Sequence, residues 1–121
     1  MKEITSQFQL MLNNGVLKDQ YSSSSIAANQ TTASLVRNVQ SVSNAAHALL
    51  DLAGVVTPGY AVFQNLDATN YIQIGIDVAA VFYPFLKLKA GEQGMARLAN
   101  IAPYALANTA PVKLFYVIYA D

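Results

Sequence analysis

The residues able to do chemistry are few and scattered. His47 is the one histidine of the chain, and Asp51 follows it four residues later. On a helix the two would share a face and make half of a metal site, but no second His, Cys or nearby Glu completes the set. Asp67, Asp77 and Glu92 are the acids near the middle of the chain. An acid–base pair of the glycosidase kind needs two carboxylates held across a cleft, and nothing in this spacing builds one. Asp67, in Leu66-Asp67-Ala68-Thr69-Asn70, reads as a turn residue whose side chain bonds the local backbone, and Glu92 as a turn-end charge. Gly91-Glu92-Gln93-Gly94 is too sparse for a phosphate loop, and no serine stands in a nucleophile-elbow pattern. The residues therefore predict no catalytic, cofactor-binding or metal-ligating set, no cofactor, and a protein that is not an enzyme.

Composition narrows the class. Hydrophobic residues make up 54% of the chain and charged residues only 12%, which argues against disorder, because disorder needs low hydrophobicity and high net charge. Seven Lys plus Arg balance seven Asp plus Glu. With Lys87 and Lys89 the only close basic pair, there is no clustered positive field for nucleic acid. The chain has no cysteine, so neither disulfides nor thiolate metal sites arise. MKEITSQFQL lacks the apolar core of a signal peptide, and the apolar run 74–86 is broken by Asp77 and too short to span a bilayer. Seven Tyr on an under-charged chain point to surfaces covered by partners, since Tyr offers apolar area and a hydroxyl together.

The elements that would position these residues are strands. Ile4, Phe8, Leu10 and Leu12 alternate with polar residues as in a half-buried strand. Asn13-Asn14-Gly15 follows as a hairpin turn with Asn-Gly at its centre, and Val16, Leu17 and Tyr21 begin the return strand. From residue 26 to 53 the pattern is ambiguous. Leu35, Val39, Val42, Ala46 and Leu49 fit one face of a helix, whereas Leu35, Arg37, Val39 and Ser41 also alternate as a strand. Gly59 to Glu92 is the densest strand-forming stretch, with six of the twelve aromatic residues. Tyr60–Gln64 and Tyr71–Ile76 are expected to pair as a hairpin, with Gly75 marking a bulge or a close backbone approach. In Val81–Leu88, Phe82, Pro84, Leu86 and Leu88 share one parity; Pro84 cannot donate to a ladder and predicts an edge strand or a bulge. Short strands follow at Met95–Leu98 and Tyr104–Ala107. Val112–Ala120, apolar on both faces, belongs at a sheet centre or against a neighbouring subunit. The whole predicts an all-β fold: one domain over 1–121, a β-sandwich or jelly-roll-like arrangement of about 8–10 short antiparallel strands.

Three segments, GYAVFQNLDATNYIQIG, FYPFLKLKAGE and PYALANTAPVKLFYVIY, resemble small structural proteins of tailed bacteriophages and prophages. In that family an "NLD" turn follows one strand, a strand ending "IG" comes next, and a "KLxAGE" turn precedes an alternating C-terminal strand. The likeness covers about residues 59–120, with a looser fit through the hairpin at Asn13-Gly15 and RNVQSV at Arg37–Val42. It tips 26–53 towards two strands, about 33–42 and 47–52, with a turn near Ser43-Asn44. Ala79-Ala80 departs from the family, which has a Gly in that turn, and predicts a wider loop here. The resemblance implies a virion structural protein made in the host cytoplasm, assembling as a homo-oligomer and with other virion proteins such as the major capsid protein, without nucleic acid or membrane contact. Capsid decoration is the first expectation; a tail or head–tail junction component and a carbohydrate- or receptor-binding sandwich are the alternatives. The expected assembly surface is aromatic: Tyr60, Phe63, Tyr71, Tyr83, Phe85, Phe115 and Tyr119.

Overall fold

In the computed structural model, which describes residues 2–121, the chain forms twelve strands. Its contacts gather into two compact units, the described residues up to Thr31 and Thr32–Asp121.

The first unit is a ribbon of paired strands. β1 (Ile4–Ser6) pairs antiparallel with β4 (Ile26–Ala28), and β2 (Gln9–Asn14) with β3 (Leu17–Ser22). Ser23 N–H donates to the Phe8 carbonyl at 2.9 Å, and Phe8 N–H donates to Ser23 Oγ at 2.8 Å, carrying the pairing past the ends of β2 and β3. The turn differs from the sequence expectation. Asn14 pairs with Leu17, so the two loop residues are Gly15 and Val16. Gly15 has φ +60° and Val16 does not have positive φ, the pattern of a type II′ turn, which needs glycine at its first central position. The expected half-burial of this strand is also corrected, because every residue of β2 and β3 is exposed.

The second unit is a sandwich of two four-stranded antiparallel sheets, in the orders β10-β7-β12-β5 and β6-β11-β8-β9. Its strands are β5 (Leu35–Val42), β6 (Ala48–Leu49), β7 (Pro58–Asn65), β8 (Ile72–Val78), β9 (Val81–Leu88), β10 (Gln93–Arg97), β11 (Tyr104–Ala107) and β12 (Val112–Ala120). The pairings are nested: β5 with β12, β6 with β11, β7 with β10 and β8 with β9. Rolled so that β12 also meets β7 and β11 also meets β8, this is the arrangement of a jelly roll. The ambiguous segment 26–53 therefore carries the strands β4, β5 and β6, joined by bends and loops, and no helix.

The alternation of the sequence explains the core. Val112, Leu114, Tyr116, Ile118 and Ala120 point inward from β12, at the centre of its sheet. They meet Ala61 and Phe63 of the same sheet and Ile72, Ile74, Ala105 and Ala107 of the facing one. The Tyr116 hydroxyl donates to the Asp51 carbonyl at 2.6 Å and accepts from Asn38 Nδ2 at 3.1 Å. A buried phenol keeps its partners, and here they fasten the 50–55 loop over the core.

Two further expectations fail, the first because the connection after β7 crosses between sheets. Tyr60–Gln64 and Tyr71–Ile76 do not form a hairpin; β7 and β8 lie in opposite sheets. β8 pairs instead with β9 through a two-residue loop, Ala79-Ala80, so that loop is not widened. Both alanines accept positive φ, 53° and 67°, and Asp77 Oδ1 takes the Ala80 N–H at 3.1 Å.

Candidate functional site

The β8–β9 pair carries the feature that shapes the surface. Ile74 pairs with Leu86 but Gly75 pairs with Pro84, so Phe85 is an extra residue in β9. β9 is an edge strand, as its proline requires. The inserted residue flips the faces of everything before it. Leu86 and Leu88 stand opposite the buried Ile74 and Ile72, whereas Phe82 stands opposite Asp77. The single parity expected for Phe82, Pro84, Leu86 and Leu88 is thus broken at the bulge.

On one side of this bulge lies an apolar cleft of about 340 Å³. Ile76 of β8 and Phe85 of the bulge form one wall. Ala96 and Arg97 of β10, followed by Leu98, Ala99, Ile101 and Pro103, form the other. Phe85 and Ile101 are each 51% exposed, so apolar side chains stand at its rim in water. The guanidinium of Arg97 lies 5.0 Å from the Tyr60 ring and pairs with the Asp121 carboxylate. Such a cleft can take aliphatic or aromatic groups, with one charge pair beside it.

The outer face of the same sheet, β6-β11-β8-β9, carries His47. Its Nε2 lies 2.5 Å from Asp77 Oδ2, and its ring stacks on Phe82 at 5.3 Å and tilts against Tyr104 at 5.6 Å. The imidazole beside Asp77, with the Ala80 N–H, holds that carboxyl below its ordinary value of 3.8. Asp51 takes other partners: its Oδ1 accepts from Ala53 N–H and its N–H donates to Gln40 Oε1, both at 2.9 Å. His47 and Asp51 therefore do not form the half-site their spacing suggests. Among the described residues there is no group of three or more His, Cys, Asp and Glu placed to hold a metal. The arrangement ties the loop before β6 to the β8–β9 turn.

Asp67 and Glu92 serve the turns that the sequence assigns them. Asp67 Oδ2 accepts from Asn70 N–H at 2.6 Å and Thr69 N–H at 3.0 Å, and these bonds hold its carboxyl below 3.8. Glu92 Oε1 accepts from Lys89 N–H at 2.7 Å.

The seven expected interface aromatics separate into groups. Tyr60, Phe115 and Tyr119 stand half-buried on the outer face of the β10-β7-β12-β5 sheet, with the Arg37 guanidinium 6.0 Å from the Phe115 ring. Tyr83 and Phe85 are exposed on β9, and Phe85 lines the cleft. Tyr71 lies half-buried before β8, with Lys87 Nζ 4.1 Å from its ring centre. Phe63 is fully buried in the core and has no surface to offer a partner.

The larger exposed apolar surface was not among those residues. Leu10 is 73% exposed, Met11 70%, Leu17 59%, Tyr21 60% and Val16, in the turn, fully so. One signal for it stands in the sequence: Leu10-Met11-Leu12 is three consecutive apolar residues, where a half-buried strand would alternate. No protein family, curated protein or solved structure matches the chain.

Proposed function

We propose that this chain is a non-enzymatic structural protein of a bacteriophage virion, a capsid decoration or minor head component that assembles with copies of itself and with neighbouring shell proteins. The observation that carries the reading is the β2–β3 hairpin. A lone two-stranded hairpin is marginal in water, and this one exposes both faces and an apolar turn. Exposed apolar surface of this extent marks an interaction site. The outer face of the β10-β7-β12-β5 sheet, where the half-buried Phe115 and Tyr119 lie beside the exposed Val39 and Leu35, adds a second apolar surface.

Two further points support the reading. The NLD, IG and KLKAGE segments resemble phage structural proteins, and the jelly roll is a fold that capsid proteins use, among others. The latter is an analogy of fold, which does not by itself carry function.

Sedimentation velocity of the purified chain tests assembly: a discrete oligomer is expected, and a monomer at every concentration overturns the proposal. Copy number per particle tests position. A count near one per capsid subunit, or one per three, is expected for decoration, whereas six or twelve copies would place the chain in a tail or junction ring.

A further inference from the structure

We propose that Asn14-Gly15 is a modification site, where the chain closes on itself to a succinimide and reopens as aspartate or isoaspartate. The site is independent of the assembly reading and stands whether or not the chain associates.

Asn14 is the one asparagine of the chain followed by glycine. The reaction needs no partner beyond water. The Gly15 amide nitrogen, once a base has taken its proton, attacks Asn14 Cγ. A new N–Cγ bond closes a five-membered ring, and Nδ2 leaves as ammonia with a proton from water. Water then opens the ring at one of its two carbonyls. Opening at Cγ restores the main chain and leaves an aspartate side chain. Opening at the backbone carbonyl routes the main chain through Cβ and Cγ, which makes isoaspartate. A side chain on the following residue crowds the ring, and glycine has none.

The hairpin leaves the reacting groups free. Asn14 and Gly15 are both exposed, and even a Cβ at Gly15 would meet nothing within 4 Å. Neither the Asn14 amide nor the Gly15 N–H has a hydrogen-bond partner among the described residues. Ring closure turns the Asn14 backbone out of its extended form, and what this breaks is the last rung of the ladder, Asn14 to Leu17. Such an end opens at little cost, because β2 and β3 are exposed along their whole length and ladder ends fray.

Other asparagines are held or crowded. Nδ2 of Asn38, Asn44 and Asn65 donates to the Tyr116 hydroxyl and to the carbonyls of Thr109 and Asn70 in turn, while Asn100 and Asn108 precede the β-branched Ile101 and Thr109. Asn13 is the nearest comparison. It is exposed on the same strand, but it is followed by Asn14 and pairs with Lys18 inside the ladder.

Either product adds a negative charge to a chain of zero formal net charge, at the end of the hairpin that exposes Leu12, Val16 and Leu17. Isoaspartate also inserts a methylene into the main chain there, so the rung with Leu17 cannot re-form in register.

For the test, the folded chain is kept in mildly alkaline buffer and its peptides are mapped by mass spectrometry over time. Asn14 is expected to convert at least about tenfold faster than Asn13, a barrier difference of about 1.4 kcal/mol. Both aspartate and isoaspartate should appear at position 14, with an acidic species on ion exchange that Asn14→Gln abolishes. An equal rate at Asn13, conversion only once urea unfolds the hairpin, or aspartate without isoaspartate, the mark of direct hydrolysis, overturns the site.

Discussion

Gly75 lies directly against the carbonyl of Tyr83. A Cβ at Gly75 would fall 2.1 Å from Tyr83 O and 2.6 Å from Pro84 Cα. Both atoms are backbone and cannot rotate away, so any side chain would force the β8–β9 ladder apart. Gly75→Ala is expected to cost about 3 kcal/mol or more, beyond ordinary overpacking. It should also disturb the Phe85 wall of the cleft. Urea unfolding gives the first number. A variant within about 0.5 kcal/mol of the parent, the range of a neutral surface change, would mean that the strands are not this close.

Asn65 is a buried polar residue of the sandwich, and it joins the NLD segment to the KLKAGE segment. Its Nδ2 donates to the Asn70 carbonyl at 2.8 Å and the Leu88 carbonyl at 3.1 Å, and its Oδ1 accepts from Asp67 N–H at 2.8 Å. Its own N–H donates to the Glu92 carbonyl at 2.9 Å. Asn65→Leu would strand two carbonyls and one N–H, at about 1–3 kcal/mol for each group left unpaired in the interior. A loss of about 3 kcal/mol or more is expected in denaturant unfolding, with Asn65→Asp less damaging at low pH than at neutral pH. A neutral Asn65→Leu would show that water replaces these bonds.

What the sequence made legible was what alternation and backbone chemistry control. Val112–Ala120 announced a central strand by being apolar on both faces, and Pro84 and Gly75 announced the bulge because one lacks a donor and the other lacks a Cβ. Partner choice was not legible. Residues 60–64 and 71–76 are close enough in sequence to suggest a hairpin, but the bonds of Asn65 and Asp67 turn the chain across to the opposite sheet. Nor does alternation report solvent: Leu10 and Leu12 have the spacing of a half-buried strand, yet no layer covers them. The cleft wall at Leu98–Pro103 has no period at all, so its only trace in the sequence was Phe85.

Acid should weaken the fold through Asp67 and Asp77. Both carboxyls lie below their ordinary value in the folded chain, Asp67 through the N–H groups of Asn70 and Thr69, and Asp77 through His47. Their contribution is complete above the unfolded value of 3.8 and is lost as pH falls below it towards the lower folded values. The double variant Asp67→Asn, Asp77→Asn should be less stable than the parent near neutral pH, with the gap narrowing between about pH 5 and pH 2. Urea midpoints across that range measure it. A gap constant with pH would show that the carboxylates are not better held in the folded state.

Ala79 and Ala80 form a two-residue loop in which both residues have positive φ. That is the type I′ geometry, for which Asn-Gly is the preferred pair. An L-residue with a Cβ spends roughly 1–2 kcal/mol in this region, and both alanines are exposed, so packing returns little. The double variant Ala79→Asn, Ala80→Gly installs that pair, keeps the backbone bond to Asp77 Oδ1 and removes the clash at the second position. A gain of about 1–2 kcal/mol is expected, read as a higher urea midpoint with an unchanged slope. Most of it should come from Ala80→Gly, because Asn tolerates positive φ without abolishing its cost. A midpoint that stays in place or falls would show that this loop does not hold positive φ at both positions.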